Sequence, residues 1–539
     1  MIAAGLRWVG PPAEAIAAMG DKAAARRHAA AHGVPTVPGY DGEAQDDATL
    51  AREAERIGFP LLVKPSAGGG GKGMRIVRDP DRLADDLAAA RREAHRSFGD
   101  DRLILERLMV GARHVEIQVL FDGHGAGVHL GERDCSAQRR NQKIVEEAPA
   151  PSVTPELRGR MGDAALRVAS AVGYQSAGTV EMLLTDAGEF HFLEMNTRLQ
   201  VEHPVTEAVT GRDLVADQLR IADGATLGDL GLERPPTIRG HAIEARLYAE
   251  DPEAGFLPAT GRLALVRWPE GIRVDTGVRQ GDEVTDRYDP MLAKLIATGG
   301  TRRAALEALR EALAATTILG VRTNLRFLRW LIEQPVVRDG EVRTDTISSL
   351  GLPDPPTPDE VHWQAASTLL DPQGSDPWSD GWRLNASSVR RLRHGDETRS
   401  VSRATPAAMD GTTVRDGHLV HVDVEGQSLD FSLAGAPTVE EAVRHAASAG
   451  GDGASVLVAP MPGRVISVRA AEGDAVRAHQ AIVIIEAMKM EHAVVAPSDG
   501  VLTGVNVAEG QQVQRGDLIA EIAAGPLWLT DPTERFILH

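Results

Sequence analysis

One cysteine, Cys135, occurs in 539 residues. A single thiol can build neither an internal disulfide framework nor a thiolate zinc site. Basic charge is also short. Lys and Arg number 58 against 77 Asp and Glu, a net charge of −19 and a pI near 5.4. Nucleic-acid backbones need a basic surface, so that class of partner is excluded for the chain as a whole. No apolar run approaches the roughly 18 residues of a membrane span. Met1 to Pro11 shows no charged stretch followed by an apolar core, so no signal peptide is expected. What is present is an ordinary globular composition, 25% charged and 42% hydrophobic. At about 100–200 residues per domain the length predicts about three to five domains. A cytoplasmic, acidic, multidomain protein is the reading.

Two composition shifts divide the chain. Residues 353–358 read PDPPTP, which suits neither helix nor central strand, and residues 446–455 read AASAGGDGAS. The blocks are therefore 1–352, 359–446 and 455 onward. In the first block, Pro11-Pro12 opens one Ala-rich helical stretch that ends at Gly33. Phe59 to Lys64 is a short apolar strand running into glycines. Arg113 to Phe121 alternates as a strand around Val115, Ile117 and Val119. Gly178–Leu184 and Glu189–Met195 read as a strand pair joined by the turn Asp186-Ala-Gly188. The middle block reads as short strands and polar turns with Trp363, Trp378 and Trp382.

The last block holds an internal repeat. Residues 459–486 align without gaps on 496–523, at a spacing of 37, with ten identities including Gly463/Gly500 and Val476/Val513. Each copy is too small to bury a core alone, so the two are expected to pack as a pseudo-symmetric β sandwich. Between them lies Ala487-Met-Lys-Met-Glu-His-Ala-Val-Val495, where a hairpin tip would present Lys489 between two methionines. Most turn lysines are only solvated; methionines flanking one at the dyad of a repeat are not explained that way.

In the first block, Ser66-Ala-Gly-Gly-Gly-Gly-Lys-Gly-Met74 follows the strand carrying Lys64. Glycines let backbone N–H groups approach phosphates, but the Gly-Lys-Ser/Thr of a P-loop is missing, and alone such a run is often a turn. Downstream, alternation puts Glu194 and Asn196 on one strand face, and Glu181 on the partner strand can point the same way. Two carboxylates and an amide oxygen suit Mg²⁺, a hard cation. The alternative, a surface acidic pair relieved by Arg198, is disfavoured because acids directly opposite repel.

The motifs Met19-Gly-Asp-Lys22, the glycine run, Arg113–Gln118, Arg133–Lys143, Glu194–Pro204 and Gly240–Asp251 together resemble, in order, the ATP-grasp core and C-terminal subdomain of biotin carboxylase. Glu486-Ala-Met-Lys-Met490 resembles the biotinyl domain of biotin-dependent carboxylases, and the whole chain resembles an acyl-CoA carboxylase α subunit. The middle block is similar to the β-subunit-docking domain of the methylcrotonyl-, propionyl- and geranyl-CoA types. The resemblance implies a multidomain α+β fold: a biotin carboxylase core, a small β-rich docking domain and a C-terminal all-β biotinyl barrel sandwich. The expected domains are a remnant of the N-terminal carboxylase subdomain at 1–34, the ATP-grasp and C-terminal subdomains at 35–352, docking at 359–446, the biotinyl domain at 455–524 and a tail at 525–539. The family's full N-terminal subdomain, with its Asn-Arg-Gly-Glu-Ile-Ala signature, is not expected here. The implied partners are a carboxyltransferase β subunit, through which acyl-CoA is reached in a hetero-oligomer, and a biotin protein ligase; no nucleic acid or membrane is expected.

Residue roles follow from the same resemblance. Lys489 would carry biotin. Lys22 and Lys64 would hold ATP phosphates under Gly68, Gly69, Gly70 and Gly71, with Glu106 and Met109 at the adenine and His114 and Gln138 near the ribose or base. Glu181, Glu194 and Asn196 would bind Mg²⁺, or Mn²⁺ in its place. Lys143, Arg198, Gln200 and Val201 would hold bicarbonate, Glu202 would be the general base, and Arg246 would stabilise the biotin enolate. Bicarbonate attacks well only once deprotonated, and a guanidinium suits the ureido oxyanion. Two other readings compete: a non-catalytic biotin carrier and docking scaffold, and an amide-forming ATP-grasp ligase with a lipoyl arm.

Overall fold

The computed structural model describes residues 4–67, 73–139, 142–370, 389–402, 412–435, 454–487 and 490–524. The glycines 68 to 71 and Lys489, together with Trp378, Trp382, the 446–453 stretch and the 525–539 tail, lie outside the described residues.

The first block is built on one antiparallel sheet of eight strands. Their order is Arg273–Thr276, Met291–Gly299, His241–Tyr248, Gln142–Ala148, Gly127–Arg139, Arg113–Phe121, Ser176–Leu184 and Phe190–Asn196. Two hydrophobic cores flank it. One gathers Val115, Ile117, Val119 and Val180 with Leu157, Met161 and Val168 of the helix Pro155–Ala171. The other gathers Leu247, Leu295 and Ile243 with Leu309 and Leu313 of the helix Arg302–Ala315. Thr154 and Thr301 cap those helices by accepting backbone N–H bonds at their first turns. A smaller four-stranded sheet, Gly39–Tyr40, Leu103–Arg107, Leu61–Pro65 and Arg75–Val77, packs on the helices Asp47–Ile57 and Leu83–Phe98 around Leu50, Leu61 and Leu87.

The single helical stretch expected after Pro12 is instead two helices, Ala13–Gly20 and Lys22–Ala31. Asp21 is extended and caps the second helix, its Oδ1 accepting from Ala24 N at 2.8 Å. A carboxylate at that position competes with helix continuation. Both helices join the sheet core through Ala15, Met19, Ala25 and Ala29.

The middle block is β-rich, with one helix added to the short strands and polar turns read from the sequence. Its five-stranded antiparallel sheet runs Glu397–Ser402, Val389–His394, Gln427–Leu433, Leu419–Val424, Thr413–Asp416. A helix, Glu360–Leu369, lies against it, with Trp363 fully buried on Phe431.

The repeat becomes two four-stranded sheets. One orders Ala454–Val458, Leu518–Ala524, Gly500–Val505 and Ala475–Val476; the other orders Met490–Val495, Ala481–Ala487, Gly463–Val468 and Gln512–Val513. Each sheet takes its short last strand from the other repeat. The symmetry extends to detail: the register shifts at Val465/Ser467 and at Leu502/Gly504, equivalent positions. A Cβ on Gly463 would meet Glu486 O at 2.6 Å, and one on Gly500 would meet Ala523 O at 2.5 Å. Both glycines are therefore required by close backbone approach.

Candidate functional site

Strand alternation in the eight-stranded sheet puts apolar residues on one face and His114, Glu116 and Gln118 on the other. Yet all nine residues of Arg113–Phe121 are buried. The polar face is covered by the chain that follows Asn196 and by the helix His203–Thr210, and the interior it lines is ionic.

At the centre, Lys143 Nζ donates to Glu116 Oε2 at 2.6 Å, Glu181 Oε1 at 3.0 Å and Glu202 Oε1 at 2.5 Å. Glu202 precedes the helix His203–Thr210, and its other oxygen accepts from Arg246 Nη2 at 2.9 Å. Burial alone would raise the Glu202 carboxyl, but Lys143, Arg246 and Arg133 outweigh burial and hold it well below the usual range. It is thus ionised and flanked by two fixed cations. Beside it, Asn196 Nδ2 and Gln200 Nε2 both donate to Glu181 Oε1, at 2.9 and 3.0 Å. Arg198 donates to Gln200 Oε1 and to Asn196 Oδ1. Val201 enters through its backbone, its carbonyl accepting from Lys294 Nζ at 2.7 Å.

Glu181 stands in register with Glu194, and Thr179 with Asn196. Burial and the facing Glu181 raise the Glu194 carboxyl, while Lys22 and Lys64 oppose them. Two apposed carboxylates and an amide oxygen fit a hard divalent cation: all donors are oxygen, and the repulsion between the acids calls for positive charge between them. His114 Nε2 lies 3.0 Å from Glu181 Oε2, and its Nδ1 lies 3.4 Å from Gln138 Oε1.

The four-stranded sheet supplies the second group. Lys64 Nζ pairs with Glu106 Oε2, and Arg26 Nη1 donates to Glu106 Oε1 at 3.2 Å. Lys22 opens the helix capped by Asp21, its backbone N–H donating to Ser66 O. Burial lowers the Lys22 ammonium, against the pull of Glu194. Met109 lies in the segment that follows the strand Leu103–Arg107 of this sheet.

Five residues of the cleft fall outside the set named from sequence: Glu116, Arg133, Glu146, Glu244 and Lys294. Arg133 is fully buried and donates to Glu116 Oε1 at 2.5 Å, Gln118 Oε1, Thr206 Oγ1 and Thr179 Oγ1. Glu146 accepts from Arg246 Nε at 2.5 Å, so Arg246 links Glu146 to Glu202. Burial pushes Glu146 up to about 7, although Arg246 opposes it. Glu244 faces Glu146 in register, is fully buried, and neither of its oxygens has a hydrogen-bond partner among the described residues. Burial and Glu146 raise it well above the ordinary range, so it is held as the neutral acid. The sequence signal for Glu116 and Glu244 was a charge set between Val, Ile or Ala inside a strand.

Comparison with known proteins bears on the same regions. Residues 21–230 match the family model "Carbamoyl-phosphate synthase L chain, ATP binding domain". Residues 244–349 match "Biotin carboxylase C-terminal domain", and residues 455–522 match "Biotin-requiring enzyme". The chain is 42% identical to the mitochondrial methylcrotonoyl-CoA carboxylase subunit alpha of Dictyostelium discoideum, over 92% of this chain and 79% of that one. It is 38% identical to the propionyl-CoA carboxylase alpha chain of Ruegeria pomeroyi, over 96% and 86%. Among solved structures, it is similar to the biotin carboxylase domain of Hydrogenobacter thermophilus 2-oxoglutarate carboxylase, which was solved with MgADP, ADP and bicarbonate. The TM-score is 0.62 at 42% identity, covering 64% of this chain and 77% of that one. The biotin carboxylase of Campylobacter jejuni gives a TM-score of 0.62 at 36% identity, covering 65% and 78%.

Proposed function

The chain belongs to the α subunits of biotin-dependent acyl-CoA carboxylases, and from that premise we propose which of its residues do the work. It is an ATP-dependent ligase that carboxylates biotin on Lys489, for transfer to an acyl-CoA on a β carboxyltransferase subunit. Biotin and Mg²⁺ are its cofactors, and ATP and bicarbonate its substrates.

Glu202 is the general base. It is ionised, buried, and held between Lys143 and Arg246. That geometry is the single observation carrying the assignment. Lys143, Arg198, Gln200 and the Val201 backbone surround the space beside it and supply cationic and amide donors for a bicarbonate anion. Glu202 takes the bicarbonate proton, and the freed oxygen attacks the γ-phosphate of ATP. Carboxyphosphate and ADP result, and carboxyphosphate breaks down to CO₂ and phosphate. Glu181, Glu194 and Asn196 would hold Mg²⁺, which supplies charge neutralisation for the phosphoryl group in flight. Lys22 and Lys64, with the loop Gly68 to Gly71, take the phosphates, and Glu106, Met109, His114 and Gln138 the nucleoside side. Arg246 presents a guanidinium where negative charge develops on the ureido oxygen. Glu146 positions Arg246, accepting from its Nε.

A biotin protein ligase is the partner that loads Lys489. Among the described residues no helix is long and apolar enough to cross a membrane, and a cytoplasmic setting fits the acidic composition. The segments divide as carboxylase to residue 352, docking domain 359–446 and carrier 455–524. The test is to purify the chain with its β subunit and measure fixation of labelled bicarbonate into methylcrotonyl-, propionyl-, geranyl- and acetyl-CoA. ATP- and bicarbonate-dependent carboxylation of free biotin by the chain alone is expected. Its absence, with folded and biotinylated protein, overturns the catalytic assignment and leaves the carrier scaffold.

A further inference from the structure

The carrier sandwich meets the carboxylase at the end where Ala487 pairs with Met490. Ala487 pairs with Met490, Arg464 with Glu486, and Gly463 and Arg464 with Val513 and Gln512. Pro462 and Gln512 therefore sit at the end of the sheet where Ala487 pairs with Met490. On the carboxylase side, Leu257 is 8% exposed and belongs to the apolar cluster of Leu457, Ala459 and Met461 of the carrier, whereas its neighbour Phe256 turns into the carboxylase's own core. Asp286 Oδ2 accepts from Gln512 Nε2 at 2.7 Å. A cavity of about 690 Å³ lies alongside, walled by residues 283–287 and by Pro462, Gln512 and Gln514.

Both carboxylase pieces lead to the Arg246 end of the cleft. Phe256 lies 3.9 Å under the guanidinium of Arg139, whose neighbour Gln142 donates to Glu250. Asp289, three residues beyond Asp286, acts electrostatically on Tyr248 and Glu250, and Tyr248 Oη accepts from Arg246 Nη1 at 3.5 Å.

We propose that Leu257 and the 283–287 segment form the seat on which the carrier domain docks to load its own biotin, with Gln512 and Met461 as the carrier's half of the contact. The inference rests on the functional reading above. The occupant is the same chain's carrier, because that domain is already seated there by its chemically relevant end. Among the described residues the contact is slight, a leucine and one polar pair. A tether supplies effective concentrations in the millimolar range, so a weak seat suffices, and a strong one would slow departure to the β subunit.

The test uses the full biotinylated chain. In the double variant Leu257→Ser, Asp286→Ala, carboxylation of free biotin should stay within about twofold of the parent while labelling of Lys489 falls about tenfold, the size expected when an intramolecular encounter loses its guide. Unchanged labelling of Lys489 overturns the proposal. A second variant, Asp286→Cys with Gln512→Cys, closes a disulfide across the contact. The cross-linked protein should still label Lys489 but lose transfer to acyl-CoA on the β subunit, and reductant should restore transfer. Cross-linked protein that cannot label Lys489 shows a parking contact and overturns the proposal. Loss of free-biotin carboxylation in the parent chain would instead strike the functional reading beneath it.

Discussion

The carboxylase cleft places charge in its interior, whereas the carrier sandwich keeps an apolar interior and carries its chemistry on a connection between strands. In the cleft, Arg133, Glu116 and Glu146 are fully buried, and Glu181 and Glu202 are nearly so. In the carrier, the buried set includes Val465, Val476, Ile482, Ile485, Leu502, Val513, Ile519 and Ile522, aliphatic residues related in pairs by the repeat. Buried charges must be paired in fixed geometry, so the cleft is committed to one arrangement. An aliphatic sandwich imposes no such demand on its surface, and its reactive end is free to serve two sites in turn. One region is built to hold atoms still and the other to travel.

The largest expected effect lies on the travelling side. Lys489→Arg should abolish labelling of the chain by bicarbonate, while carboxylation of free biotin persists; autoradiography of the separated protein checks both. On the static side, Glu202→Gln removes the base and should lower kcat for free biotin by about 10²–10⁴-fold, with the KM for ATP little changed in steady-state assays. Arg133→Leu leaves Glu116 buried without its strongest partner, and urea unfolding should register a loss of about 3–5 kcal/mol. That cost should appear in the carboxylase transition and not in the carrier's. Gly463→Ala and Gly500→Ala test the repeat. Each forces a methyl onto a carbonyl and should cost the carrier about 1–3 kcal/mol, equally at both sites; unequal losses in thermal melts would break the symmetry argument.

The smallest effect is in pH dependence. Glu146 titrates near 7 in the folded chain against an ordinary 4.5. Between those values the folded form holds a proton that the unfolded form has released, so stability falls as pH rises through that window. Glu202 has the opposite sign: its contribution is present above the ordinary range and is lost as pH falls. Unfolding free energies of Glu146→Gln and the parent, measured from pH about 5 to about 7, should diverge with the parent losing stability faster.

Much of this was legible in the sequence. The 37-residue repeat, the acidic pair Glu181/Glu194 and the turn at Asp186 depend on spacing and alternation, which local chain geometry translates directly. The second sheet face of the cleft was not legible to the same degree. Glu116 alternates with Val115 and Ile117 as a solvent-facing residue would, and only the covering helix His203–Thr210, distant in sequence, makes it interior. The break at Asp21 was missed because helix propensity runs strongly through the alanines on both sides, while the capping carboxylate decides locally. The helix around Trp363 was hidden by the β-rich segment that follows it, although Asp359 and His362 form its capping box.

The eight-stranded sheet has a consequence for how this gene could be divided. Its strands come from residues 113–196 and from 241–299, and Gln142–Ala148 pairs directly with His241–Tyr248. A chain split between the two stretches would ask two fragments to complete one ladder, each exposing a raw edge prone to wrong pairing. A break within 353–358 severs no ladder. Fission or fusion of modules should therefore be tolerated there, and resisted wherever it would part Glu202 from Arg246.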